Sequence, residues 1–128
     1  MTSAAIDPAA LVGPRLRAGD RVRLVSPAST PEREQVARSA EPLTTWGLTV
    51  EIGRHVFDRF GHYLAGRNED RLADLNDALR DPGVRAILAT RGGKGAYRIA
   101  SGLDFAAARR DPKPLVGFSD VTILHLVL

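Results

Sequence analysis

The sequence has 128 residues, enough for one domain with its own core. Apolar residues at 44% and charged residues at 26% form a globular balance, which excludes a disordered chain. The net charge of +3 is carried mainly by scattered arginines without like-charge runs or aromatic interleaving, so nucleic acid is not an expected partner. The absence of cysteine removes disulfides, thiolate catalysis and Cys-type zinc sites. No stretch approaches the ~18 apolar residues of a membrane span, and the opening MTSAAIDPAALVGPRLRAGD lacks the basic-then-apolar plan of a signal peptide. The expectation is a cytoplasmic protein with no membrane partner.

Residues 1–19 read as a loose leader, and 20–128 as the domain. The alternating RVRLV of residues 21–25 predicts a strand. Ser29 and Glu32 fit a capping box, with Pro31 early in the helix that follows. Val36, Ala40, Leu43 and Trp46 supply its apolar spacing, and Gly47 ends it. Residues 48–52 predict a second strand. The stretch GRHVFDRFGHYLAG, residues 53–66, has no clean period and reads as a long surface loop. Asn68 fits the cap of a helix whose apolar face is Leu72, Leu75 and Leu79, ended by Asp81, Pro82 and Gly83. A third strand at 84–90 leads into the tight turn RGGKG of residues 91–95. A helix over 96–103, a shorter one over 104–110, a fourth strand at 115–118 and a helix from Asp120 complete the order. Strands alternating with helices predict an α/β fold: a doubly wound, mainly parallel sheet with flanking helices. Such sheets bind ligands at the carboxyl ends of their strands, which here carry residues 26–29, 91–95 and 119–120.

Two of these segments can carry chemistry. In GFSD, residues 117–120, a serine stands at a strand-to-helix turn. That is the outline of a nucleophile elbow, in which the turn lifts the hydroxyl clear and the next N–H faces the same space. Gly117 lets the turn close, but position 121 is Val rather than the second glycine of G-x-S-x-G. The competing reading is that Ser119 only caps a helix. In TRGGKG, residues 90–95, glycines between a strand and a helix expose N–H groups that can cradle an anion. The spacing is neither a Walker loop nor a dinucleotide fingerprint, and a plain tight turn is the alternative. His55, His62 and His125 have no metal-ligand spacing on one helix face, so neither a metal nor a cofactor is expected. His125 lies six residues after Ser119 on another side of its helix, a poor position for a base.

Several short motifs agree in order and spacing with one family. LVSPAS at 24–29, YLAGRNEDR at 63–71, DPGVRAI at 81–87, RGGKG at 91–95 and PLVGFSDVT at 114–122 resemble the LD-carboxypeptidases. These are the muramoyltetrapeptide carboxypeptidases, serine peptidases whose family also includes microcin C self-immunity proteins. The resemblance implies that Ser119 is the nucleophile and that the oxyanion hole is the Asp120 N–H with an N–H from Gly92 or Gly93. It implies a murein peptide substrate ending in D-alanine, hydrolysed in cell-wall peptide recycling. The family's base is a His oriented by a Glu, both in a C-terminal domain. These 128 residues hold no counterpart of either, so the chain alone is expected to be inactive and to need its own C-terminal domain as partner. The apolar run of residues 121–128 adds the expectation that the sequence stops inside a helix. A homodimer is implied for the longer protein by resemblance alone. Arg91, Lys94, Ser26 and His62 are further candidates for substrate binding. Lys94 and Phe118 both stand where the family usually has Tyr. The rival functions are a microcin-type hydrolase of peptidyl-nucleotide toxins and a non-catalytic anion-binding module.

Overall fold

The computed structural model describes residues 13–117 and 119–128. The predicted leader therefore falls mostly outside the described residues, as does Phe118, whose departure from the family pattern has no structural account.

Four strands form one parallel sheet in the order β2-β1-β3-β4. They are β1 (Arg21–Val25), β2 (Thr49–Ile52), β3 (Val84–Ala89) and β4 (Leu115–Val116). The chain runs outward from β1 to β2, then crosses back over β1 to place β3 and β4 on its other side. The direction of winding thus reverses between β1 and β3, and the crevice above their carboxyl ends is where such sheets place ligands.

Side-chain alternation along the strands divides the core between the two faces. Val22, Leu24 and Ala86 pack on one face with Val36 and Leu43 of helix α1 (Arg33–Thr45). Val25, Val84 and Ile87 pack on the other with Leu75 and Leu79 of α2 (Asn68–Arg80), Ala107 of α3 (Phe105–Arg110) and Leu124 of α4 (Thr122–Val127). Helices therefore cover both faces of the sheet, the doubly wound α/β arrangement expected from the alternation of elements.

Several local expectations are corrected. The Ser29–Glu32 capping box does not form: α1 begins at Arg33, Glu32 takes the N-cap position without a side-chain cap hydrogen bond, and Pro31 lies outside the helix. Ser29 instead joins the loops, its N–H donating to the Gly92 carbonyl at 3.3 Å. Trp46 sits at the end of α1 and is 69% exposed, so it is not part of the apolar face. At α2, Arg67 precedes the first turn and its N–H donates to Asp70 Oδ2, while Asn68 accepts a hydrogen bond from Arg71. The helix expected over 96–103 is two 3-10 turns, Ala96–Arg98 and Ala100–Gly102. That stretch is short and includes Ile99, Ser101 and Gly102, weak helix formers. Both of its ends are held from outside, Ala96 N–H by Asp120 and the Gly102 carbonyl by Asn76.

An ionic cluster pins β1 to β2 and to the end of α2. Arg21 and Arg23 both reach Glu51 and Asp81, at 2.9–3.0 Å. The hydrogen bond from Arg21, supported by Arg23, holds the Glu51 carboxyl below its usual range. Asp81 is lowered first by the Gly83 N–H and then by the same arginines. A carboxyl depressed in the folded state stabilises it above the unfolded value, near 4. That stability is lost as pH falls through the lower folded value. The thermal midpoint is expected to drop on acidification below pH ~4, and Glu51→Gln should lower it at neutral pH while flattening the acid limb. A Glu51→Gln profile parallel to that of the unaltered chain, in a melting series across pH, would count against this account.

Candidate active site

The carboxyl ends of β1 and β3 meet through their side chains. Ser26 follows β1 and Thr90 follows β3, and their hydroxyl oxygens lie 2.6 Å apart. Ser26 is 4% exposed. Its hydroxyl is thus engaged in tying the two strand ends together, and Ser26 does not line the cavity beside them.

Beside this tie opens a cavity of about 950 Å³. Thr90, Arg91, Gly92 and Gly93 line one side, Gly117 and Ser119 another, and Glu32 with Gln35 and Arg38 of α1 a third. The structure therefore brings together four of the candidate residues, Ser119, Gly92, Gly93 and Arg91. Lys94 and His62 are exposed and do not line the cavity. The contribution of α1 was not visible in the sequence, where nothing marks Gln35 or Arg38 as facing the strand ends.

Ser119 has φ +62°, the only positive value at a non-glycine position among the described residues. A left-handed conformation disfavours any residue with a Cβ, by about 1–2 kcal/mol. Such strain persists only where the surroundings impose it, and it gathers at functional turns. Here the surroundings are identifiable. Gly117 lies two residues earlier, and a Cβ there would stand 2.8 Å from Val121 Cγ1 and 3.1 Å from Ala89 Cβ. The absence of that atom lets β4 run directly into the turn. Helix α4 has no side-chain cap at its start. Ser119 opens a 3-10 turn, Ser119–Val121, ahead of α4, and among the described residues the helix-cap reading of Ser119 finds no matching hydrogen bond.

The Gly-rich turn is held in three places, one of them on this elbow. The Asp120 carboxylate accepts the Ala96 N–H at 2.8 Å, linking the residue after Ser119 to the end of the turn. Gly93, at φ +112°, packs so closely that a Cβ would overlap Ser29 Oγ. Gly95, at φ +110°, leaves its carbonyl to accept from Arg71 Nη1 at 2.9 Å. Arg71 is 1% exposed. Its Nη1 also donates to the Pro27 carbonyl at 2.8 Å, and Nη2 donates to Asn68 Oδ1. Nε has no partner among the described residues. Burial, with Arg98 adding repulsion, lowers the Arg71 pKa, though a guanidinium remains charged throughout the working range of proteins. Neither Arg71 nor the Asp120 carboxylate was singled out from sequence for such a role. The only trace was Arg71 closing the motif at 63–71.

None of the three histidines lines the cavity. His125 Nε2 is bonded to the Leu115 carbonyl at 2.9 Å. His55 Nδ1 lies 2.6 Å from Asp58 Oδ2, which raises the imidazole pKa despite partial burial. His55, Asp58 and Asp70 are also the one trio among the described residues whose ligand-type atoms all lie within 4.8 Å of one another. Within this trio His55 presents its two ring nitrogens to different carboxylates, Nδ1 in the hydrogen bond just named and Nε2 at 3.9 Å from Asp70. No helix of the described residues is long and apolar enough to cross a membrane.

Residues 22–128 match the model of the LD-carboxypeptidase N-terminal domain. The chain belongs to that family. A "Probable murein peptide carboxypeptidase" of Bacillus subtilis is 41% identical over 113 residues, covering 88% of this chain and 35% of the relative. The murein tetrapeptide carboxypeptidase of Pseudomonas aeruginosa is 38% identical over 105 residues, covering 81% and 34%. Among solved structures, an MccF-like protein from Bacillus anthracis superposes with a TM-score of 0.80 at 31% identity, covering 88% of this chain and 35% of that one. This LD-carboxypeptidase domain thus spans about a third of the length of the relatives it matches.

Proposed function

We propose that this domain supplies the nucleophile and the oxyanion hole of a serine-type LD-carboxypeptidase that releases the terminal D-alanine of murein tetrapeptides. The observation that carries the reading is the strained left-handed Ser119 at a strand-to-helix turn, on the wall of a cavity shared with Gly92 and Gly93. Ser119 Oγ attacks the carbonyl carbon of the peptide bond before D-alanine. The carbonyl oxygen gains the negative charge and is met by the Asp120 N–H and an N–H of the Gly92–Gly93 turn. A base takes the Oγ proton and passes it to the departing amine. Water then hydrolyses the acyl-serine through the same steps in reverse roles.

The base and its orienting carboxylate come, in this proposal, from outside the 128 residues. The positions of the three histidines support this, since His55 and His125 are engaged elsewhere and His62 stands off the cavity. A serine hydroxyl without a base is a weak nucleophile, so the chain alone is expected to release little or no D-alanine. The names of the relatives support a murein peptide as substrate, and recycling of cell-wall peptides in the cytoplasm is the setting that substrate suggests. The MccF-like neighbour keeps a peptidyl-nucleotide substrate as the second reading.

The test is D-alanine release from a murein tetrapeptide by the chain alone and by the longer protein that carries it. Release by the longer protein only is the expected result. Turnover by the chain alone, abolished by Ser119→Ala, would place a base within these residues and overturn the divided triad. Cleavage of an aminoacyl sulfamoyl nucleoside but not of the tetrapeptide would favour the second reading.

A further inference from the structure

We infer that Arg71 is a positioning residue for the oxyanion-binding turn, acting on Ser119 through Gly95, Ala96 and Asp120. The inference rests on the reading of Ser119 as nucleophile.

Arg71 is a buried cation whose hydrogen-bond partners among the described residues are all neutral oxygens. Burying a charge with no carboxylate bonded to it is costly, even with Asp120 near enough to favour the charged form, and a fold seldom retains one where an apolar side chain would pack as well. What Arg71 gains in exchange is reach. One guanidinium spans the Pro27 carbonyl after β1, the Gly95 carbonyl at the end of the Gly-rich turn, and Asn68 at the start of α2. The two loops it joins are the two strand ends that flank the reversal in winding, and the Gly-rich one lines the cavity.

The chain of contact from Arg71 to the elbow is short. Gly95 is followed by Ala96, whose N–H is fixed by the Asp120 carboxylate at 2.8 Å. Asp120 in turn follows Ser119 and carries the N–H assigned to the oxyanion. The peptide unit between Gly95 and Ala96 is therefore held at both poles, its carbonyl by Arg71 and its N–H by Asp120. Releasing the carbonyl frees that unit to rotate, and with it the distance between the two sets of oxyanion donors. A fixed fork suits this task better than an ammonium: lysine can approach one or two of the three oxygens but cannot span them all.

Such a role predicts a specific kinetic pattern. Donors aimed at the oxyanion act in the transition state and hardly at all on the bound substrate. In the catalytically competent protein, Arg71→Lys should therefore lower kcat by about 10- to 100-fold with KM changed less than about twofold. Asn68→Ala removes one acceptor of the guanidinium from an exposed position and should give a smaller fall of the same type. Folded fraction is followed by circular dichroism alongside the kinetics. An unchanged kcat in well-folded Arg71→Lys protein, or a loss that only tracks unfolding, overturns the inference. Where Arg71→Lys fails to fold, Asn68→Ala decides: lower kcat at constant KM supports positioning, and unchanged kcat refutes it. Ser119→Ala is measured in parallel. Retained turnover there defeats the nucleophile reading and this inference together, whereas an inactive Ser119→Ala protein beside an unaffected Arg71→Lys protein defeats the inference alone.

Discussion

Replacing Ser119 by alanine is expected to reduce D-alanine release by the competent protein about 10⁴- to 10⁶-fold, the scale seen when a nucleophile is removed from a cooperating triad. Replacement by glycine should be equally inactivating, with the opposite effect on stability. At φ +62° a serine carries left-handed strain, and glycine relieves it. The relief of about 1–2 kcal/mol exceeds the extra unfolded-state freedom of glycine, about 0.5–1 kcal/mol. Ser119→Gly is therefore expected to be up to about 1.5 kcal/mol more stable than the unaltered chain. Ser119→Ala keeps the Cβ and the strain, and should be close to neutral. The two variants thus separate chemistry from scaffolding in one urea titration. Were Ser119 a helix cap, both would lose stability, alanine by about 0.5–2 kcal/mol. A stabilised and inactive Ser119→Gly protein is the signature of a conformation maintained for function against its own backbone preference.

How far such a site can be read from sequence depends on whether its signal is local. The strands and α2 were legible because their apolar residues recur at fixed periods, and the parallel doubly wound arrangement followed from their alternation. The elbow was legible in outline, since a glycine two residues before a serine between a strand and a helix is a local pattern. What escaped were decisions made by distant partners. Ser29 fits a cap on paper, but the Gly92 carbonyl and Leu64 capture its backbone, so the helix starts four residues later. The stretch from Ala96 to Gly102 has no feature that announces 3-10 turns; Asp120 and Asn76 impose them from elsewhere. Arg71 is the extreme case. An arginine three residues into a helix, within the run NEDR, reads as a solvated charge, and only the closing of two loops over it makes it buried. The cavity itself was legible only on one side. Its glycines and serine lie at strand ends, where topology places ligands, but its α1 wall depends on how that helix lies across the sheet.

Gly117 offers the sharpest test of the elbow that leaves Ser119 in place. A valine side chain there must displace Val121 Cγ1, which would lie 2.8 Å from the new Cβ, and Ala89 Cβ, at 3.1 Å. Both neighbours belong to regular structure: Ala89 ends β3, and Val121 is fully buried just before α4. Neither is a flexible chain end that can swing aside, so the strain is taken up by moving the turn. Overpacking of this kind destabilises by about 1–3 kcal/mol. The larger effect should be on rate, because a displacement of about 1 Å at a reacting atom is worth about 10²-fold. Gly117→Val in the competent protein is thus expected to stay largely folded while kcat falls by about that factor. Gly117→Ala should show a weaker form of both effects, since it adds the Cβ without the branches. Shortening the neighbour tests the cause directly. In Gly117→Ala/Val121→Ala the 2.8 Å contact disappears and only the 3.1 Å approaches of Ala89 Cβ and of Cβ at position 121 remain, so activity should recover in part relative to Gly117→Ala even though a second core residue has been trimmed and total stability is lower. Recovery of rate with loss of stability would tie the fault to the position of Ser119. A Gly117→Val protein with unchanged kcat and unfolding midpoint would show that the turn does not need the missing Cβ, and the elbow would reduce to an ordinary connection.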